Sequence, residues 1–214
     1  MKTEKRDLYI VGAGGYGREI ASYLNDFSED EKGWDFKGFI DDNIDALLGV
    51  ESPNKIIDSI NNFRFNKEDY VIVAIGNIEI KKNIVLRLKN RVTFYTFVAK
   101  KSYIGNNVKL GTGVIICPGV KLPANISIGD FVTINIDSRI GHDSNIGDNC
   151  SIMPNVDIGG ESVIGENVFL GTKSTIIPRT KIESDNYIGV AAVILKDIIT
   201  TDGTYFGNPA RRIR

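Results

Sequence analysis

From residue 104 onward, the apolar positions of the chain recur on a six-residue beat. Ile104, Leu110, Ile116, Leu122, Ile128, Ile134, Ile140, Ile146, Ile152, Ile158, Ile164, Leu170, Ile176, Ile182, Ile188 and Ile194 form an unbroken series of Ile or Leu. This period excludes a helix face and is too long for simple strand alternation. Four residues after each comes a small or β-branched side chain, as in Val114, Val120, Val132, Ser138, Ser144, Cys150, Val156, Ser162 and Val168, with Asn186 the exception. A large and a small inward position per hexad suit a narrow triangular prism. Glycine directly follows the Ile or Leu at 105, 111, 129, 141, 147, 159, 165, 171 and 189, where positive φ is expected to turn the corners. The pattern predicts a parallel β-helix of hexapeptide repeats, three hexads to a coil, with each coil burying its apolar residues on the next. Nothing interrupts the register, so a site on this part must come from surface side chains and neighbouring subunits.

The preceding hundred residues have another rhythm. DLYIVGAG is a short apolar run ending in glycines, and YGREIASYLNDF follows with helical spacing at Ile20, Tyr23, Leu24 and Phe27. WDFKGFIDDN reads as a second strand, DYVIVAIGN as a buried third, IEIKKNIVLRLKN as a helix with Ile80, Ile84 and Leu88 on its inner face, and TFYTFV as a last strand. Strands alternating with helices predict a small Rossmann-like βαβαβ sheet. The expected organisation is an α/β domain over 1–100, a β-helix over 101–199 and a tail over 200–214. Trp34 is expected in the α/β core.

Composition removes several classes of function. Twenty-six basic against 27 acidic side chains leave a formal charge of −1, which offers no field for a polyanion, so no nucleic-acid partner is expected. No apolar run is long enough to span a membrane, and a cytoplasmic protein is expected. Cys117 and Cys150 lack a metal-ligand spacing and are read as packing residues, so no metal is expected.

Two constellations could carry chemistry. Gly12, Gly14, Gly15 and Gly17, with Tyr16 among them, open a helix directly after a strand, aiming backbone N–H groups and the positive end of the helix dipole at a phosphate. Asp41 and Asp42 end the second strand, where a carboxylate can accept hydrogen bonds from a ribose or base, and Gly76 and Asn77 close the third. The fingerprint alone does not separate NAD from a sugar nucleotide, or either from a glycine turn kept for helix packing. The domain is too short for a full dinucleotide fold, which favours a nucleotide-type ligand. The second constellation holds the chain's one histidine, His142, in the hexad Ile140-Gly141-His142-Asp143-Ser144-Asn145. Ile140 and Ser144 fill the inward slots, so His142 projects outward beside Asp143, a carboxylate able to fix its tautomer or an ordinary solvated residue sharing a column with Asn125 and Glu161. Imidazole suits general-base work near neutral pH. One coil back lies Ala124 and one coil forward Gly160, whose backbone N–H is a candidate oxyanion donor.

The hexad register, IGHDSNIGD, YIVGAGGYGRE, FIDD, VAIGN and the ending GNPARR together resemble the PglD, NeuD and VioB group of bacterial sugar acyltransferases, over essentially the whole chain. The resemblance implies a left-handed β-helix, a homotrimer and acetyl-CoA as donor. It casts His142 as general base, Asp143 as its support and Gly160 as donor to the thioester carbonyl. CoA is expected near Gly160, Gly189, Ala191, Gly207, Pro209, Ala210 and Arg211, and the glycine turn with Asp41 and Asp42 is expected to hold a nucleotide-linked sugar. The sequence departs from the pattern at Tyr16, where many members carry histidine, and at Ser151, where some do, which leaves the acceptor open. N-acetylation of a nucleotide-linked amino sugar is the leading expectation. Sugar O-acetylation by the same parts and a non-catalytic trimeric metabolite-binding scaffold are the alternatives.

Overall fold

The computed structural model describes residues 5–214, which divide into two units, one ending at Tyr95 and one running from Thr96 to Arg214. In the first, β1 (Arg6–Val11), α1 (Gly15–Leu24), β2 (Trp34–Ile40), β3 (Ile56–Asp58), β4 (Tyr70–Val73), α2 (Ile78–Leu88) and β5 (Thr93–Phe94) build a parallel sheet of order β3-β2-β1-β4-β5. Leu8, Ile10 and Val11 are fully buried and Tyr9 nearly so, as a central parallel strand covered on both faces requires. Tyr9 and Val11 pack with Val71, Val73, Ile84 and Leu88 on the α2 side. Trp34 is buried, its ring edge-on to Phe27.

Several local expectations shift. Strand β3 has no clear signature in the sequence. The inner face of α2 is Lys81, Ile84 and Leu88, while Ile80 is exposed. Both triplets satisfy helical spacing, and packing on the sheet selects the second. The run TFYTFV is divided: Thr93–Phe94 pairs with β4, whereas Phe97–Val98 pairs with Ile115–Ile116 in the second unit.

The second unit is the parallel solenoid. Its strands stack into three sheets in which partners lie 18 residues apart, for example Leu122 on Ile104, Ile140 on Ile158 and Ile146 on Ile164. The core is the predicted double column: Ile140, Ile152, Leu170 and Ile188 with Val120, Val132, Cys150, Val156 and Val168, all buried. Each such aliphatic side chain contributes about 1.5–3 kcal/mol through burial. Cys117 and Cys150 are free and buried.

The corner glycines work differently from expectation. None of the nine has positive φ; the left-handed residues fall two positions later, at Asn107, Asn125, Asp143, Glu161 and Arg179 along one corner and Asn149, Asn167 and Asp185 along another. Glycine is needed after the Ile or Leu because a side chain there would collide with the next coil. A Cβ on Gly147 would stand 2.7 Å from the Glu166 nitrogen, and one on Gly141 would overlap Gly160. The tail, expected to leave the repeat, instead extends one sheet: Thr204–Phe206 pairs parallel with Tyr187–Ile188, and Arg211–Arg212 returns antiparallel to it. Asn186, the misfit inward residue, closes this end. Its amide nitrogen donates to Glu183 O and Thr200 O at 2.8 and 2.7 Å, and its oxygen accepts from Gly203 N at 2.9 Å.

Candidate active site

His142 and Asp143 occupy a corner of the solenoid, immediately after the strand Arg139–Ile140. Ile140 and Ser144 are buried, which turns the imidazole outward with 62% of its side chain exposed. Asp143 adopts φ +60°, and its Oδ2 lies 2.6 Å from His142 Nδ1. A carboxylate can only accept, so Nδ1 carries the proton and Nε2 presents its lone pair. Asp143 Oδ1 accepts from Asn125 Nδ2 at 2.9 Å, and Asn125 Oδ1 accepts from Asn107 Nδ2 at 3.1 Å. The hydrogen bonds from His142 first and Asn125 second hold the Asp143 carboxyl below its ordinary value, so it is ionised at neutral pH.

Gly160 lies one coil forward, against the ring. A Cβ added there would stand 3.0 Å from Nε2, 3.1 Å from Cε1 and 3.2 Å from Cδ2. Its N–H belongs to a class that the solenoid ladder leaves over. At the equivalent corner positions the next coil caps this group with a side chain: Thr112 N by Asp130, Asp130 N by Asp148 and Glu166 N by Ser184. The residue one coil beyond Gly160 is Pro178, which carries no acceptor side chain, and no bond from Gly160 N is formed among the described residues. An exposed imidazole held at Nδ1 and an open backbone donor thus meet at one corner. Ser151 is fully buried.

In the first unit the glycine turn sits at the carboxyl end of β1. Here β1 and β4 are neighbours while their chains continue to opposite edges of the sheet, the switch point at which open α/β sheets bind ligands. Gly12 has φ +104°, and a Cβ on it would stand 2.9 Å from Ala74 O; a Cβ on Gly17 would overlap the Gly12 carbonyl. Gly14 and Gly76 face open space. Helix α1 begins uncapped: Gly14 is its N-cap, and no acidic residue lies in the first turn. Helix α2 is the opposite, with Asn77 Oδ1 accepting from Ile80 N at 3.0 Å and Glu79 in the first turn. The helix start left uncapped is therefore that of α1, and the Asn77 side chain serves as a cap.

The acidic pair is already engaged within the protein. Asp41 Oδ2 accepts from Ala13 N at 2.7 Å and Oδ1 from Asn43 N at 2.8 Å, so Asp41 latches the glycine turn. Asp42 accepts from Ile60 N at 2.9 Å and pairs with Arg87 at 3.2 Å. Tyr16 is half-buried on α1.

Of the residues expected near CoA, Gly189 has its N–H bound to Tyr205 O at 2.8 Å and would collide with the Phe206 ring if it carried a Cβ. Ala191 N donates to Thr172 O and Ala210 N to Val193 O, each at 2.9 Å, and Gly207 O accepts from Val193 N. Pro209 is exposed, and Arg211 lines, with Arg212, Tyr205 and Ala210, a cavity of about 310 Å³ between residues 194–200 and the tail. Among the described residues no cluster of His, Cys, Asp or Glu could hold a metal, and no helix is long and apolar enough to cross a membrane. Two contacts not foreseen from the sequence are the hydrogen bonds that run from Asn107 through Asn125 to Asp143, and the Asp41 latch. The first was visible as a column at 18-residue spacing; the second depends on the tertiary approach of β2 to the β1 turn.

Comparison with known proteins agrees with this division. The PglD N-terminal domain family matches residues 7–88, and the bacterial transferase hexapeptide family (six repeats) matches residues 143–178. The GDP-perosamine N-acetyltransferase of Escherichia coli O157:H7 is 32% identical over 217 residues, covering 97% of each chain. WeeI from Acinetobacter baumannii AYE superposes with a TM-score of 0.84 at 27% identity, over 98% of this chain and 100% of that one. PerB from Caulobacter crescentus, solved in complex with CoA and GDP-perosamine, shares the fold with a TM-score of 0.80 at 22% identity over 96% of both chains. With an N-terminal domain and a hexapeptide solenoid matched in order, and full-length likeness to a sugar N-acetyltransferase, the chain belongs to the PglD-type family of hexapeptide-repeat sugar acyltransferases.

Proposed function

We propose that the protein transfers an acetyl group from acetyl-CoA to the amine of a nucleotide-linked amino sugar, in the synthesis of a bacterial surface glycan, and that it does so as a cytoplasmic homotrimer. The observation that carries the reading is the corner where His142 Nδ1 is held by Asp143 while Nε2 stands against Gly160, whose N–H is uncommitted. The amine nitrogen attacks the thioester carbonyl carbon, and Nε2 of His142 takes the proton it loses. The carbonyl oxygen, becoming an oxyanion, accepts from Gly160 N–H; the C–S bond then breaks and CoA leaves as the thiol or thiolate. Asp143 keeps the ring in the tautomer that makes Nε2 the base and stabilises the imidazolium. No covalent enzyme intermediate is required.

Acceptor recognition falls to the first unit. The uncapped start of α1, with Gly14 open beside it, suits a diphosphate, and Gly76 leaves room at the neighbouring strand end. The whole-length relative acts on a GDP-linked amino sugar by its name, which supports an amine over a hydroxyl acceptor. Arg211 and Arg212 line the tail cavity, and their guanidinium groups would suit the phosphates of CoA.

The test is a product assay with mass-tagged acetyl-CoA against GDP- and UDP-linked amino sugars and their hydroxyl counterparts. The expected outcome is one acetyl group added to an amino sugar and a loss of about 10²–10⁴ in kcat for His142→Ala. Acetylation confined to hydroxyl sugars would remove the acceptor assignment, and full activity in His142→Ala would remove the mechanism.

A further inference from the structure

Asp143 projects from an exposed corner, where a carboxylate on a rotatable, water-facing stem has no intrinsic reason to aim one oxygen at its neighbour's ring. Its two oxygens are nevertheless divided between two donors, Oδ2 toward His142 Nδ1 at 2.6 Å and Oδ1 toward Asn125 Nδ2 at 2.9 Å. The Asn125 amide is itself oriented: Asn107 Nδ2 donates to its oxygen at 3.1 Å, which leaves only its nitrogen to face Asp143. All three residues hold left-handed φ, at +57°, +54° and +60°, so their side chains leave successive coils in one direction at one spacing. On the far side of the ring the column changes character. Glu161 pairs with Arg179 at 3.2 Å rather than reaching Asp143. The charged neighbours of Asp143 along the column are thus His142, when protonated, and the Glu161–Arg179 pair, while the side facing Asn125 and Asn107 is uncharged and purely hydrogen-bonding.

We infer that Asn125, oriented by Asn107, is a positioning residue that fixes the Asp143 carboxylate and thereby the His142 tautomer. This deepens the proposed function and rests on His142 being the base. With Asn125 present, Asp143 has one oxygen anchored and the other left for Nδ1–H. Without it the carboxylate rotates into water and the imidazole proton redistributes between Nδ1 and Nε2, so fewer molecules present a basic Nε2. A corresponding ladder, Asn149 to Asn167 to Asp185, runs along another corner with bonds of 2.9 Å each and no histidine at its end, which provides an internal control.

Because the chain holds a single histidine, two-dimensional ¹H–¹⁵N spectra of the imidazole report its tautomer with no assignment problem. The variants are Asn125→Gly, which removes the amide while tolerating positive φ, and Asn125→Asp, which tolerates it too but sets a second carboxylate beside Asp143. The full-length protein is used throughout, with spectra taken where the ring is neutral. The wild type is expected to show Nδ1–H, and Asn125→Gly a mixture, with kcat lowered about fivefold to tenfold at unchanged KM, as for loss of one hydrogen bond to a charged group. Asn125→Asp is expected to lose more, Asn107→Gly less, and Asn167→Gly neither activity nor tautomer. An unchanged tautomer in Asn125→Gly overturns the inference, whether kcat is retained or falls with thermal stability. His142→Ala in the same assay separates the two levels: if it retains activity, the proposed function fails, whereas if it is inactive and Asn125→Gly behaves as wild type, only the ladder fails.

Discussion

Replacing Gly160 by alanine is the sharpest probe of the corner. The added methyl would stand 3.0 Å from Nε2, 3.1 Å from Cε1 and 3.2 Å from Cδ2 of His142, where relaxed contact needs about 3.5–4.0 Å. The ring must retreat by roughly half an ångström or more, and its 62% exposure lets it do so without disturbing the core. The backbone of Gly160 is not left-handed, so alanine adds no strain there. The N–H also survives, so the proposed oxyanion donor is retained and the damage is confined to the proposed base. A displacement of about 1 Å at a reacting group costs about 10²-fold, so half that distance should lower kcat by roughly tenfold. Steady-state kinetics with both substrates, together with a thermal melt, decide the matter. The expected pattern is a lower kcat, a KM for acetyl-CoA within about twofold of wild type, and a melting temperature that hardly moves. A Gly160→Ala enzyme with wild-type kcat would refute the view that this glycine is bare to accommodate the imidazole. A large fall in melting temperature would show that the glycine serves coil stacking instead.

Gly141→Ala should behave in the opposite way, because its Cβ would overlap the Gly160 backbone between coils; a loss of about 1–3 kcal/mol, read by urea unfolding, is expected together with lost activity. Asp41→Ala removes the acceptor for both Ala13 N and Asn43 N and should loosen the glycine turn, raising KM for the nucleotide sugar while leaving KM for acetyl-CoA unchanged. Equal rises in both would contradict the assignment of the turn to the acceptor. Asp143 carries a carboxyl held below its ordinary 3.8, so its link to His142 and Asn125 is fully present above that pH and is lost as pH falls through the lower folded value. The stability difference between wild type and Asp143→Asn, followed by thermal melts, should accordingly shrink as the pH falls below about 4.

Much of the solenoid could be read from the sequence because its period is a local covalent property. Sixteen Ile or Leu at one spacing leave a single way to stack, and the 18-residue strand pairing follows. The corner glycines show the boundary of that reading. Their positions were legible, but their reason was not, since collision with the next coil is a contact between residues about one coil apart, whereas φ is a property of one residue. In the α/β unit, Ile80 and Lys81 meet the same helical rule, and only the sheet beneath α2 chooses between them. Asn186 looked like an error in the repeat and proved to be its end cap, because its partners at Thr200 and Gly203 belong to a tail with no periodicity to announce it.

The sequence by itself determined the two-part architecture, the outward projection of His142 beside Asp143, the bare Gly160 one coil beyond, and a glycine turn opening a helix. Each follows from spacing along the chain, which fixes what a repeating backbone must bring together. The tertiary structure decided which groups are spoken for. It committed Asp41 to the Ala13 N–H, Asn77 to a helix cap and the Gly189 N–H to the tail, while leaving Gly160 N–H and the start of α1 open. Hydrogen-bond capacity is finite, and whether a donor or acceptor remains for a substrate depends on distant segments that arrive only when the chain has folded.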